Sequence, residues 1–194
     1  MQEKAITLVG KAVSLIPFEL GHLSALGEVA KDEEVWRHLS TSLATDDLLR
    51  AFGEHAVRER ESGNALPFTI VESATGRFVG CTRYFDLKPE HRNLEIGYTW
   101  LARSVWRTRV NTECKFLLLE HAFEERGCIR VQLCTDVKNE RSRKAIGRLG
   151  AQQEGILRQH RIVRGGVLRD SVFFSILDRE WPEVKTRLAA MLTG

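Results

Sequence analysis

No stretch of this 194-residue chain approaches the eighteen or so continuous apolar residues of a membrane span. The longest candidate, Phe116-Leu117-Leu118-Leu119, is a single buried helical turn. The opening Met1-Gln2-Glu3-Lys4 lacks the basic region and apolar run of a secretory signal. Cys81, Cys114, Cys128 and Cys134 form no CxxC pair and have no histidine at zinc spacing. Reduced thiols, a cytoplasmic location and no metal are therefore expected. Charge of one sign is also scarce: 29 Lys+Arg against 26 Asp+Glu gives +3. That argues against bulk nucleic-acid binding, where charge sets affinity. There are no repeats, no low-complexity tracts and no linker long enough to divide the chain. With 43% apolar and 28% charged residues, the expectation is one compact α/β domain over residues 1–194, which excludes a disordered tail, a collagen-like fibre and a coiled coil.

The pattern along the chain predicts a strand over Ala12–Phe18 after a turn at Gly10-Lys11, then helix over Glu19–Leu39, broken near Lys31-Asp32. Thr45 reads as an N-cap, with Asp46 and Asp47 in a first turn that favours negative charge and a stripe at Leu48, Phe52 and Ala56. Strands follow over Pro67–Val71, Phe78–Leu87 and Leu94–Leu101, the first two joined by a hairpin turn at Ser73–Gly76. Three strands with no helix between them predict an antiparallel meander. The strongest helix runs Asn111–Arg126, closed by Gly127. A strand Ile129–Thr135, a helix Glu140–Leu149 ended by Gly150, and a hairpin of Ile156–Val163 and Val167–Leu177 around Arg164-Gly165-Gly166 come next. A last helix from Glu180 aligns Trp181, Val184, Leu188 and Met191. A mixed sheet flanked by helices follows.

Two strand–loop–helix units carry the chemistry. From Leu94 to His121 a buried strand enters a loop ending at a helix N-terminus. Orphan N–H groups and the helix dipole make an anion site there. Arg103, Arg107 and Arg109 in that loop, and Arg141, Arg143, Lys144 and Arg148 further on, either serve a polyanionic ligand such as a nucleotide or form a solvated basic face. The second unit, Asp136–Ser142, places Asn139 as N-cap and a Ser142 hydroxyl in the first turn of a helix.

Residues 106–125, 139–150 and 154–181 resemble the GNAT N-acetyltransferases, in the Rim-type branch that acetylates protein N-termini and other amines. The run Val110-Asn111-Thr112-Glu113-Cys114-Lys115 through Leu119, with His121-Ala122-Phe123, is similar to that branch's cofactor helix. Asn139-Glu140-Arg141-Ser142, Leu149-Gly150-Ala151, Glu154-Gly155-Ile156-Leu157-Arg158 and Arg169-Asp170-Ser171-Val172 then match in order. Each motif is weak alone, but four in the right order and spacing are specific.

The resemblance implies an α/β (α+β) GNAT fold. Its central sheet is mixed and mostly antiparallel, with two splayed parallel strands, here around Leu94–Leu101 and Ile129–Thr135. Acetyl-CoA would enter that V-shaped gap as cosubstrate. Backbone groups of Tyr98, Thr99 and Trp100 would pair with its pantetheine amides. The loop and helix start, Arg107, Thr108, Arg109, Val110, Asn111 and Thr112, would hold its pyrophosphate. Asn139 would hydrogen-bond the pantetheine arm, beside Ser142. The family's phosphate loop normally has glycines where Arg107 and Arg109 stand, because glycine adopts positive φ freely. Either the loop takes another path or arginine side chains replace backbone contacts.

For catalysis, Glu95 stands where the family often places a carboxylate. It would take the amine proton through water, unless it only pairs with an arginine across the sheet. A backbone N–H near Tyr98 would serve the oxyanion. Many relatives use a tyrosine as general acid where this chain has Ile146. Ser142 matches a serine given that role in the Rim-type branch, unless it only extends the helix cap. His160 and Asp170 either line the acceptor pocket or are ordinary strand residues, and Trp36 and Trp100 either shape that pocket or pack. The expected partners are acetyl-CoA and an amine, with no membrane and a homodimer as the relatives' common state. A non-catalytic acyl-CoA-binding protein and a nucleic-acid-binding module are the competing classes.

Overall fold

The computed structural model describes residues 6–37 and 39–193. Met1–Lys4, His38 within the expected Glu19–Leu39 helix, and Gly194 lie outside the described residues. The strands form one eight-stranded sheet in the order β1-β2-β3-β4-β5-β6-β8-β7. They are β1 (Leu8–Val9), β2 (Val13–Pro17), β3 (Ala65–Glu72), β4 (Phe78–Lys88), β5 (Asn93–Leu101), β6 (Arg130–Asp136), β7 (Gln152–Val163) and β8 (Val167–Leu177). The helices are α1 (Leu23–Ala30), α2 (Glu33–Trp36), α3 (Asp46–Glu61), α4 (Val110–Glu120), α5 (Glu140–Leu149) and α6 (Trp181–Thr193). β2 through β5 are the antiparallel meander that the sequence predicts, extended by one strand. β5 and β6 are the parallel pair.

Local signals explain most boundaries. Asp32 ends α1 and caps α2, its Oδ1 accepting from Glu34 N. Thr45 caps α3 by accepting from Leu48 N at 3.4 Å. Gly127 and Gly150 take positive φ, +63° and +104°, just past their helices, which an L-residue resists. Two expectations shift. The buried stripe of α3 is Leu49, Gly53 and Ala56, with Leu48 turned outward. Leu23 and Leu20 crowd Gly53 so closely that this face takes no Cβ without movement. The long helix ends its α-helical course at Glu120 and finishes as a π-helical turn, His121–Glu125.

Helices cover both faces of the sheet. On one face α4, α5 and α6 pack Leu118, Leu119, Ile146, Leu149, Val184 and Leu188 against Leu94, Ile96, Val131, Leu133 and Ile176. Burying each such side chain contributes roughly 1.5–3 kcal/mol. On the other face α1, α2 and α3 bring Leu26, Trp36, Leu49 and Ala56 onto Cys81 and Trp100. Glu113, buried in α4, accepts from the backbone N–H groups of Lys11 (2.9 Å), Ala12 (2.5 Å) and Val13 (2.9 Å). That contact fixes the start of α4 against the first hairpin, and so fixes the floor of the site.

Candidate active site

The parallel pairing of β5 with β6 runs from Asn93↔Arg130 to Ile96↔Leu133 and stops. From Gly97 onward β5 keeps only its β4 neighbour, while β6 continues on β8 from Cys134 to Asp136. The departure coincides with a bulge. Cys81 opposes Trp100 and Arg83 opposes Gly97, so Thr82 faces two residues, Tyr98 and Thr99. Tyr98 takes φ +51°, a conformation costing an L-residue about 1–2 kcal/mol. Its ring is held on the cation of Arg83, whose guanidinium carbon lies 4.0 Å from the Tyr98 centroid and 4.8 Å from that of Phe52. Burial lowers the Arg83 pKa. Phe85 adds an edge contact to Tyr98 at 5.1 Å.

A cleft of about 1810 Å³ opens at this wedge and continues to the start of α4. Single small-molecule sites rarely exceed about 1,000 Å³, so the space suits two molecules meeting. Glu95, Tyr98, Thr99, Trp100, Arg107, Thr108, Arg109, Asn111, Thr112, Asn139 and Ser142 all line it. Val110 does not; its side chain is in the core and its N–H donates to Thr108 Oγ1 at 3.3 Å. Thr108 Oγ1 in turn donates to Val105 O at 2.8 Å, which fixes the turn before the helix.

The two arginines at the family's glycine positions behave differently. Arg107 takes φ +62°, so the loop keeps a left-handed turn there without glycine. Arg109 is right-handed at the α4 N-cap, and its Nη1 donates to Leu192 O at 3.1 Å at the end of α6. Of the other basic residues, Arg103 pairs with Asp32 at 3.6 Å, Lys144 with Glu140 at 3.5 Å, and Arg141 stacks on Trp106 at 4.2 Å. Arg143 Nη1 donates to Val137 O. Arg107, Arg109, Arg141, Lys144 and Arg148 still rim the cleft.

Glu95 is 6% exposed and lies on the face shared with α2 and α3. Its Oε2 accepts from Gln132 Nε2 at 2.7 Å, and no ion pair reaches it among the described residues. Burial raises its pKa above the usual carboxylate range, against lowering by the Gln132 hydrogen bond and by Arg161 and Arg169. Asn139 Oδ1 caps α5 by accepting from Ser142 N at 3.0 Å, so this part of the cap reading is seen directly. Trp36 and Trp100 pack ring on ring at 5.2 Å and also line the cleft. The Trp36 Nε1 donates to Ala30 O, whereas the buried Trp100 Nε1 has no partner among the described residues. His160 leans on Phe173 at 5.3 Å, and Asp170 Oδ1 accepts from Gln159 N at 2.7 Å.

Three groups escaped the sequence reading. Lys115, 7% exposed in the cleft floor, donates to Thr99 Oγ1 (2.6 Å) and Thr82 Oγ1 (3.4 Å), hydroxyls that themselves share a 2.8 Å hydrogen bond. Burial lowers its pKa. The available signal was a lysine directly before the apolar run Phe116–Leu119 of α4. Gln132 sits beside Glu95 only because the parallel register pairs them. Arg161 and Arg169 face one another across the last hairpin, which follows from counting outward from the Gly165-Gly166 turn.

The acetyltransferase (GNAT) domain family matches residues 13–152. A provisionally described acetyltransferase of T. thermophilus is 38% identical with a TM-score of 0.88, over 99% of this chain and 100% of that one. The uncharacterized N-acetyltransferase p20 of Bacillus licheniformis is 26% identical over 90% of this chain and 98% of its own. YdaF of Bacillus subtilis, provisionally named a ribosomal N-acetyltransferase, is 36% identical over 55% of this chain and 57% of its own. These likenesses agree with the Rim-type motifs. The chain belongs to the GNAT family of N-acetyltransferases, whose general activity is acetyl transfer.

Proposed function

We propose that this protein, acting as a single domain over residues 1–194, transfers an acetyl group from acetyl-CoA to a primary amine by direct attack in a ternary complex. The observation that carries the reading is the end of β5–β6 pairing at Ile96 and Leu133, opening on the α4 N-terminus. That slot has an unpaired strand edge for amides at one end and first-turn N–H groups with a basic rim for phosphates at the other. The bound thioester supplies the activated acetyl group.

The chain's own residues do the rest. The edge at Tyr98, Thr99 and Trp100 orients the cosubstrate arm and offers an N–H to a developing oxyanion. The loop at Arg107–Arg109 and the amides of Asn111 and Thr112 hold the pyrophosphate. Asn139 holds the arm where α5 begins. Glu95, with its raised pKa, accepts the amine proton through water. Ser142, half-buried on the cleft wall, returns a proton to the leaving thiolate. The acceptor is a protein N-terminus or a small-molecule amine, the former favoured by the name of YdaF.

A cytoplasmic homodimer belongs to the same reading. Cys81, Cys114 and Cys134 form no disulfide among the described residues, and β7 leaves Ile156, Leu157 and Ile162 exposed along the outer edge of the sheet. The test is calorimetry with acetyl-CoA, followed by release of free CoA over a panel of amines. Saturable 1:1 binding and amine-dependent release are expected. Binding without release from any amine would leave a non-catalytic acyl-CoA-binding protein instead, and no binding would refute the reading altogether.

A further inference from the structure

We infer that the acceptor amine carries a carboxylate, which Arg161 and Arg169 hold while its amino group faces Glu95. The inference rests on the acetyl-transfer reading and names the class of its second substrate. It begins from an electrostatic cost that the fold carries without visible compensation. Arg161 and Arg169 are direct cross-strand partners in the β7–β8 hairpin, and like charges placed opposite one another destabilise a sheet. Neither guanidinium has an ion-pair partner among the described residues.

Arg169 is 9% exposed. Its Nη1 donates to Ser40 Oγ and its Nη2 to Cys134 Sγ at 3.6 Å, both uncharged acceptors. Its Nε, buried, has no partner among the described residues. A guanidinium removed from water with a donor unused is costly unless an anion completes it. Both arginines line the same cleft as Glu95, and both influence Glu95 and Cys134 electrostatically. Asp136, another carboxylate lining the cleft, accepts from Lys138 N at 2.8 Å through Oδ1, and Asp170, next to Arg169 in the chain, accepts from Gln159 N. Across the cavity, Glu34 is paired with Arg37 at 3.4 Å.

Glu95 and the two guanidiniums of the last hairpin line one cavity and together form the complement of a zwitterion. The cationic end of the acceptor meets Glu95 and the anionic end meets the arginine pair. A polyamine, cationic throughout, meets repulsion at Arg161 and Arg169. The roof of this cavity is tied to the same pair: Ser40, the Arg169 acceptor, also accepts from Arg164 N through its carbonyl at 3.3 Å. An anion between the arginines therefore sits where the loop from α2 is fastened to the last hairpin.

The experiment measures kcat/KM by CoA release on matched amines: free α-amino acids and their amides, short peptides with an acidic or a neutral second residue, and an aliphatic diamine. The carboxylated member of each matched pair is expected to be favoured by about 10-fold or more, as for a charge-assisted contact. The amino-acid and peptide arms identify which kind of carboxylate is read. Arg161→Gln, a change to an exposed side chain, is expected to collapse the ratio toward one by raising KM for the carboxylated member. Arg169→Gln provides the buried counterpart, with circular dichroism confirming that it folds. Equal or better use of the amides or the diamine, or a ratio untouched by Arg161→Gln, would overturn the carboxylate assignment and leave acetyl transfer standing. No turnover with any amine, despite measured acetyl-CoA binding, would overturn both.

Discussion

Replacing Arg107 separates a backbone effect from a charge effect in the loop that leads into α4. Its φ of +62° places an L-residue where the Cβ is crowded, at about 1–2 kcal/mol. Glycine removes that strain but releases more unfolded-chain entropy, roughly 0.5–1 kcal/mol. The net expectation for Arg107→Gly over Arg107→Ala is therefore a gain of about 0.5–1 kcal/mol. Arg107 is exposed and its side chain has no hydrogen bond or ion pair among the described residues, so Arg107→Ala itself should stay within about 0.5 kcal/mol of the wild type. Urea titration gives both differences, and the gain corresponds to about 2–4 °C per kcal/mol in thermal midpoint for a chain of this size. Acetyl-CoA calorimetry on the same two variants divides the contacts. If the guanidinium holds phosphate, both variants lose affinity together, and the loss shrinks at high salt. If the backbone holds it, both bind as the wild type does. A glycine variant no more stable than the alanine variant would refute the strain argument.

Glu95→Gln is expected to lower kcat by about 10²- to 10⁴-fold and to remove the acidic limb of the kcat/KM profile, which in the wild type should fall above the ordinary carboxylate range because burial raises this group. Stability changes in step. A carboxyl whose folded pKa is raised favours folding when protonated, so its contribution is full below the unfolded value and is lost as pH rises through the folded one. Lys115→Met is expected to stabilise the fold by about 1 kcal/mol or more at neutral pH, since an apolar isostere avoids burying a charge. Burial lowers the Lys115 pKa, so the wild-type contribution is full above the unfolded lysine value and is lost as pH falls. The advantage of methionine should therefore vanish in denaturation curves run toward pH 10, and a pH-independent difference would refute it.

The sequence was most legible where one residue type forces one geometry. The helix break at Lys31-Asp32, Thr45 as a cap, Gly150 as a helix stop and Gly165-Gly166 as a hairpin turn appear where the patterns put them. Most of the cleft lining was legible too, because the motifs sit at strand ends and helix starts. What escaped depends on pairing between distant segments. β1, two residues long, exists only through its ladder to β2. The α3 stripe falls one residue away from the expected one because close packing selects Gly53, which a hydrophobic count ignores. The Gln132 bond to Glu95 needs the parallel register. For Glu95 itself the sequence left open an ion pair across the sheet, and the three-dimensional arrangement supplies a neutral amide partner instead.

The wedge is held open from both sides of β5, and this links the fold to its chemistry. A strand that simply continued would pair with β6 and close the slot, since unpaired backbone groups are costly away from water. The bulge prevents this by placing two residues of β5 opposite Thr82. It then needs support, because Tyr98 is strained. On the face toward α3 that support is the Arg83 cation between Tyr98 and Phe52. On the face toward α4 it is Lys115 bonded to Thr99 and Thr82. Two buried basic side chains without an ion pair among the described residues are a poor way to stabilise a sheet. On the proposed function they are intelligible as the cost of keeping Tyr98–Trp100 available to a ligand that supplies the missing strand.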